Sequence, residues 1–172
     1  MAGVVFLKKW LPAAVLAVTA CSNIDCPLDN VVALNCGLYS AEEKTSLTLR
    51  DTLTVYGRGF GRDTVLLNRA LGISSFLLPV RQGVSEDTLL LRLSNLEGQE
   101  ATDTIFLKHT NEPHFESLDC PPAVFHTLQG VRWTSHALSL MPLTVDSVAV
   151  VRTTVNYDDI ENLKIYLRAT SK

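Results

Sequence analysis

The chain lacks every short motif that would announce a chemistry. It contains no HExxH, GxSxG, SxxK or CxxC and no DxDxDG calcium loop. The local signatures of zinc hydrolases, serine enzymes, cysteine-held zinc and EF-hands are therefore missing. A catalytic triad is spatial and leaves no such trace, but no residues single one out. The expectation is a protein that is not an enzyme and carries no cofactor. Aromatic residues are scarce, 7% of 172 with two tryptophans, which leaves few rings for a stacking platform. Basic residues, 15 against 18 acidic, form no block and do not interleave with aromatics, so no nucleic-acid partner is expected. No apolar run reaches the roughly 20 residues of a membrane-spanning helix, and no segment has the length and caps of a long helix.

What is present starts with a leader. Lys8 and Lys9 are the only charges before an apolar stretch from Trp10 to Val18 and the small pair Thr19-Ala20. A positive region, an apolar region and a small residue before the break match a secretory signal, expected over residues 1–20. Val18-Thr19-Ala20-Cys21 resembles the bacterial lipobox, in which the Cys sulfur receives a diacylglycerol. The resemblance implies lipidation of Cys21 and a membrane partner through that lipid. The alternative is an ordinary cleavage that leaves Cys21 a thiol. Ser22, in place of Asp, fits passage to the outer membrane under the enterobacterial sorting pattern. Residues 21–25 then form a short stalk and residues 26–172 a single domain. Loss of Lys8 and Lys9 makes the net charge of −3 more negative by two. The ten or so residues before the first strand span about 35 Å at most, so the domain is held close to its membrane.

Three cysteines remain: Cys26, Cys36 and Cys120. In an exported protein an odd count allows one bridge and one leftover thiol. Cys26 and Cys120 each precede a proline in a turn-like context and are expected to pair, closing a loop worth about 4 to 5 kcal/mol in the chain-entropy model. Cys36 lies in the apolar run Val31–Cys36 and is expected to be a free, buried thiol. A Cys26–Cys36 bridge and a metal site are the alternatives, the latter without a CxxC pair to favour it.

The rest of the chain reads as strands. In SLTLRDTLTVYG, Leu47, Leu49, Leu53 and Val55 share one parity and Ser46, Thr48, Arg50, Thr52 and Thr54 the other, with a break at Arg50-Asp51 that predicts two strands. Further strands are predicted at 64–67, 75–80, around Leu89-Leu91-Leu93 and Ile105-Leu107, at 125–128, 131–134, 147–151 and 163–167, while Ser40–Lys44 has the composition for one helical turn. Short strands at this rhythm predict an all-β domain, an antiparallel two-sheet β-sandwich of immunoglobulin-like architecture.

Few residues stand out as candidate sites. Tyr56–Asp63, with glycines at 57, 59 and 61, suggests a phosphate loop, but a strand rather than a helix follows, so a hairpin is expected, with Arg58 and Arg62 as candidates for an anion contact. His109, His114 and His126 could be imagined around zinc, yet Pro113 argues against helical ligand spacing. These three and His136 are expected at the surface or the core edge, with no metal. Tyr157–Glu161 is read as a solvated connection rather than a calcium loop. Trp133, Tyr157, Tyr166 and Phe60 are the rings available to a glycan.

Cys26-Pro27-Leu28-Asp29-Asn30, Asp51–Val55, Asp63–Arg69, Ser74–Pro79, Pro113–Cys120, Phe125-His126-Thr127 and Val155–Tyr166 together resemble the small uncharacterised lipoproteins of Bacteroidota, a domain-of-unknown-function family. The resemblance covers nearly the whole mature chain. It implies a signal peptide, a lipobox and one β-rich domain, and Cys26 and Cys120 match its paired-looking cysteines. It offers no catalytic residues and no known ligand. One acid in Ser22–Asp25, where surface-exported members carry several, tilts the expectation to the periplasmic face of the outer membrane. The function expected is a non-catalytic accessory or protein-interaction module of the cell envelope, with a surface glycan-binding or adhesive module as the alternative.

Overall fold

The computed structural model describes residues 31–117 and 120–169. The expected leader, the stalk, Cys21 and Cys26 lie outside them. Among the described residues ten strands and no helix are found: β1 (Leu34–Ser40), β2 (Thr52–Arg58), β3 (Asp63–Ala70), β4 (Ser75–Leu78), β5 (Glu86–Ser94), β6 (Glu100–His114), β7 (Ala123–Thr134), β8 (Leu143–Val150), β9 (Thr154–Val155) and β10 (Leu163–Ala169). They form a four-stranded sheet, β4-β1-β10-β8, and a six-stranded sheet, β3-β2-β5-β6-β7-β9.

Alternation explains the strands. In β5, Asp87, Leu89, Leu91 and Leu93 are buried while their neighbours are not, and in β10 Leu163, Ile165 and Leu167 do the same. Each inward leucine removed from water contributes about 1.5 to 3 kcal/mol. Both sheets turn these residues toward one shared core, with Leu34, Leu38, Leu78, Leu163 and Ile165 from one side and Leu53, Val55, Leu91, Ile105 and Leu107 from the other. Cys36 is a free thiol within it, 1% exposed. Desolvation by that apolar surround, with the charge of Glu161 adding to it, pushes its pKa well above the ordinary thiol value.

Three expectations are corrected. The sheets are not wholly antiparallel, because β1 runs parallel to β10, Cys36 opposite Leu163 through Ser40 opposite Leu167. The chain leaves β8, visits the other sheet as β9 and returns, so β10 enters from the same end as β1. The segment Ser46–Arg50 is not a strand of its own. Leu49 is buried there, but its N–H donates to Ile73 O (2.8 Å) and that of Leu47 to Leu38 O (2.9 Å), and only one bridge, Tyr39 to Ser46, forms. The two strands expected at 125–128 and 131–134 are one, β7. A bulge opposite the Lys108/His109 step absorbs the extra residue that made them look separate.

Candidate functional site

The inner face of the six-stranded sheet is apolar in the middle and polar at both ends, and the two ends are built differently. On β6 the inward parity runs Asp103, Ile105, Leu107, His109. Asp103 is fully buried and saturated. One carboxylate oxygen accepts from His136 N–H (2.6 Å) and faces His136 Nδ1 (2.8 Å); the other accepts from Val145 N–H (2.8 Å) and Thr144 Oγ1 (3.2 Å). The second ring nitrogen of His136 faces Met141 O at 3.3 Å. This cluster stitches β6 to β8. Next to it Ser135 Oγ donates to Val145 O and Trp133 Nε1 donates to Asp146 O (3.0 Å), so the β7/β8 flank is closed.

At the other end Asp87 of β5 lies beside His109 of β6. The Asn111 amide fixes the histidines: its nitrogen donates to Gln82 O (2.9 Å) and Val84 O (2.8 Å), which leaves its oxygen facing both rings. His109 Nδ1 (2.9 Å) and His126 Nδ1 (2.7 Å) both meet that oxygen, so both carry their proton on Nδ1. The rings meet edge to face, 5.4 Å between centroids. Among the described residues His109 Nε2 then has no hydrogen-bond partner, although its side chain is wholly buried and Asp87 Oδ2 stands 3.5 Å away. Burial, reinforced by the neighbouring His109 and opposed by the charge of Asp87, lowers the pKa of His126 to about 4. Asp87 itself is held by the Arg81 guanidinium and by Arg81 N–H (3.0 Å).

Asp87 also faces a groove of about 190 Å³ lined by Leu66, Pro79, Val80 and Leu89 together with Arg58 and Arg81. Gly57 contributes the space: a Cβ there would meet Leu66 Cδ1 at 3.1 Å. The groove lies beside β3, whose outer edge pairs with no described strand.

The anion candidates fare unevenly. Arg58 lines the groove but already faces Asp63 at 3.7 Å, and Arg62 is not among the groove's lining residues. The expected hairpin is present, with Gly61 at φ 100° where a side chain would be strained. Of the histidines, His109 and His126 are buried rather than at the surface, and His136 is largely so. His114 stacks on Phe125, 4.1 Å between centroids, with Tyr157 edge-on to both. Among the described residues no group of three His, Cys, Asp or Glu side chains is placed to hold a metal. The carboxylates of 157–161 are occupied: Asp158 with Arg152 (2.7 Å), Asp159 with the Asn35 amide (3.0 Å) and Glu161 with Tyr39 Oη (3.0 Å). Trp133 is 37% exposed and Phe60 98%; Tyr166 sits under Lys44, 4.6 Å from ring centre to Nζ. Cys120 is not a free thiol, and its expected partner Cys26 lies outside the described residues.

The sequence reading missed Asp87, Asp103 and the inward aim of His109. The signal was available, since each extends by one step the parity of leucines or isoleucine already identified as core.

An all-β domain whose two sheets share one core, with a polar cluster at each end of one inner face, is the class these features define. The chain belongs to a family of unknown function, DUF6452, whose model matches residues 52–167, from the start of β2 into β10. No curated protein and no solved structure matches it. The matched span contains both polar clusters and the whole groove.

Proposed function

We propose that the protein is a non-catalytic, lipid-anchored module of the cell envelope that binds a protein partner at its open flank. In this reading Cys21 carries the lipid, the protein sits in the outer membrane with its domain on the periplasmic face, and a Cys26–Cys120 disulfide pins the start of the domain. The two sheets form a sandwich of immunoglobulin-like kind, a reading supported by their shared core. Cys36 stays a thiol in that core, and Cys120, unlike Cys36, is not free.

The observation that carries the partner is the apolar groove beside the unpaired edge of β3. A strand added at such an edge makes main-chain hydrogen bonds, and a pocket next to it selects a side chain. The groove's volume suits one apolar side chain, and Val65 on β3 is half exposed. The glycan alternative asks for adjacent open rings. Of its candidates, Trp133 has its N–H committed to Asp146 and Tyr157 packs against Phe125 and His114, so the partner reading is the better supported.

Acyl labelling of the wild type and Cys21→Ser in a host that processes lipoproteins, with protease shaving of intact cells, tests the anchoring. Label lost in the variant and a domain resistant to shaving are expected. A domain that is shaved would place it on the cell surface, and label retained in the variant would remove the anchor from Cys21.

A further inference from the structure

The strand ends define two poles. At one of them β1 begins beside the end of β4 (Leu34 opposite Leu78), β10 beside the end of β8 (Leu163 opposite Val150), β3 beside the end of β2 (Asp63 opposite Arg58) and β7 beside the end of β6 (Ala123 opposite His114). The chain also enters the domain at this pole, through Val31. Several large apolar side chains are uncovered here: Phe60 at the tip of the β2–β3 hairpin, 98% exposed, Phe115 just past β6, 66% exposed, and Val31, Val151 and Ile160. The opposite pole exposes three leucines on separate turns, Leu71, Leu96 and Leu140.

We propose that the entry pole rests on the lipid bilayer, with Phe60 and Phe115 seated at the boundary between headgroups and acyl chains. The inference rests on the lipid anchor at Cys21. Ten residues from Cys21 to Val31 span at most about 35 Å, and five to Cys26, if it is joined to Cys120 at this same pole, span about 18 Å. So short a tether keeps the exposed rings at high effective concentration against the bilayer that holds the lipid. A partner protein lacks that enforced proximity, which favours lipid as the occupant at the tips of this pole, while the free edge of β3, which runs away from it, stays open to the proposed partner. Arg58 and Arg62 flank Phe60 in the hairpin, but Arg58 is met by Asp63 and the chain carries an acidic excess. The contact is therefore apolar insertion, which zwitterionic lipid supports, rather than attraction to anionic headgroups.

The test uses the full chain, produced with its native processing and reconstituted into phosphatidylcholine vesicles, with acyl label on Cys21 measured in the same sample. Phe60→Trp and, at the other pole, Leu96→Trp each add an indole at a fully exposed position, and wild-type emission supplies the background of Trp133. Replacing part of the lipid with phosphatidylcholine brominated on its acyl chains should lower the added emission of Phe60→Trp about twofold and leave that of Leu96→Trp unchanged. Equal quenching of the two, or quenching of neither while Cys21 carries label, overturns the proposal. Cys21 without label overturns the anchoring reading itself, and the proposed contact falls with it.

Discussion

The two flanks of the domain end in the same kinds of side chain, a buried aspartate beside a histidine, and use them to opposite effect. On the β7/β8 flank every oxygen of Asp103 has a donor and the sheets are stitched across. On the β3 flank Asp87 is shared between Arg81 and a histidine whose Nε2 has no hydrogen bond among the described residues, and a groove opens in front of it. A buried polar group with all its partners holds a fold together; one left short of a partner subtracts from stability. The closed flank is thus the structural one. The open flank leaves a groove beside its cluster, and that groove is where the proposed partner is placed.

The largest effect is expected from the closed flank. Asp103→Ala leaves the His136 and Val145 N–H groups and His136 Nδ1 without their acceptor, while Thr144 Oγ1 keeps His136 O (3.2 Å), and should cost about 3 to 5 kcal/mol, read as a lower midpoint in urea unfolding. A cost under about 1 kcal/mol would break the contrast between the flanks, because Asp103 would then behave as an unsaturated group does.

Next comes the pH response of the open flank. An unfolded histidine takes up its proton near 6.5, whereas folded His126 resists until about 4. Between those values the unfolded chain binds the proton and the folded one does not, so stability falls as pH drops from 6.5 to 4 and this contribution levels off below. The loss is about 3 kcal/mol, obtained as the difference between wild type and His126→Gln in urea melts across that range. A difference flat with pH would mean that His126 is not held neutral by its surroundings.

A smaller effect separates His109 from Asp103. His109→Leu removes the nitrogen that lacks a partner, while Asn111 Oδ1 keeps His126, so unfolding should shift by no more than about 1 kcal/mol in either direction. The smallest stability effect belongs to Gly57→Leu. It fills the groove against the flexible end of Leu66, should change thermal unfolding little, and should abolish capture of the proposed partner. Unchanged capture would move the binding surface off the groove.

How much of this was legible in sequence depends on the period of the pattern. Strands such as β5 and β10 announce themselves because Leu89, Leu91 and Leu93, or Leu163, Ile165 and Leu167, alternate without interruption. Asp87, Asp103 and His109 hold the same parity, but a charged or imidazole side chain at the end of an apolar run reads as the run's edge rather than as its buried continuation. Asn111 was beyond reach, because what it does depends on Gln82 and Val84, distant in sequence and brought close by the pairing of β5 with β6. The parallel β1–β10 pair was hidden for a related reason: alternation fixes which face a residue takes and says nothing about which strand lies beside it.

The most direct test of the open flank as the binding surface is photo-crosslinking in the native host. A photoreactive side chain is placed at Val65 on the free edge of β3 and, separately, at Trp133 on the closed flank, in the full-length protein. A discrete adduct of higher mass is expected from position 65, disappearing with Gly57→Leu, and none from position 133. An adduct from 133 alone, or one from 65 that persists when the groove is filled, would contradict it.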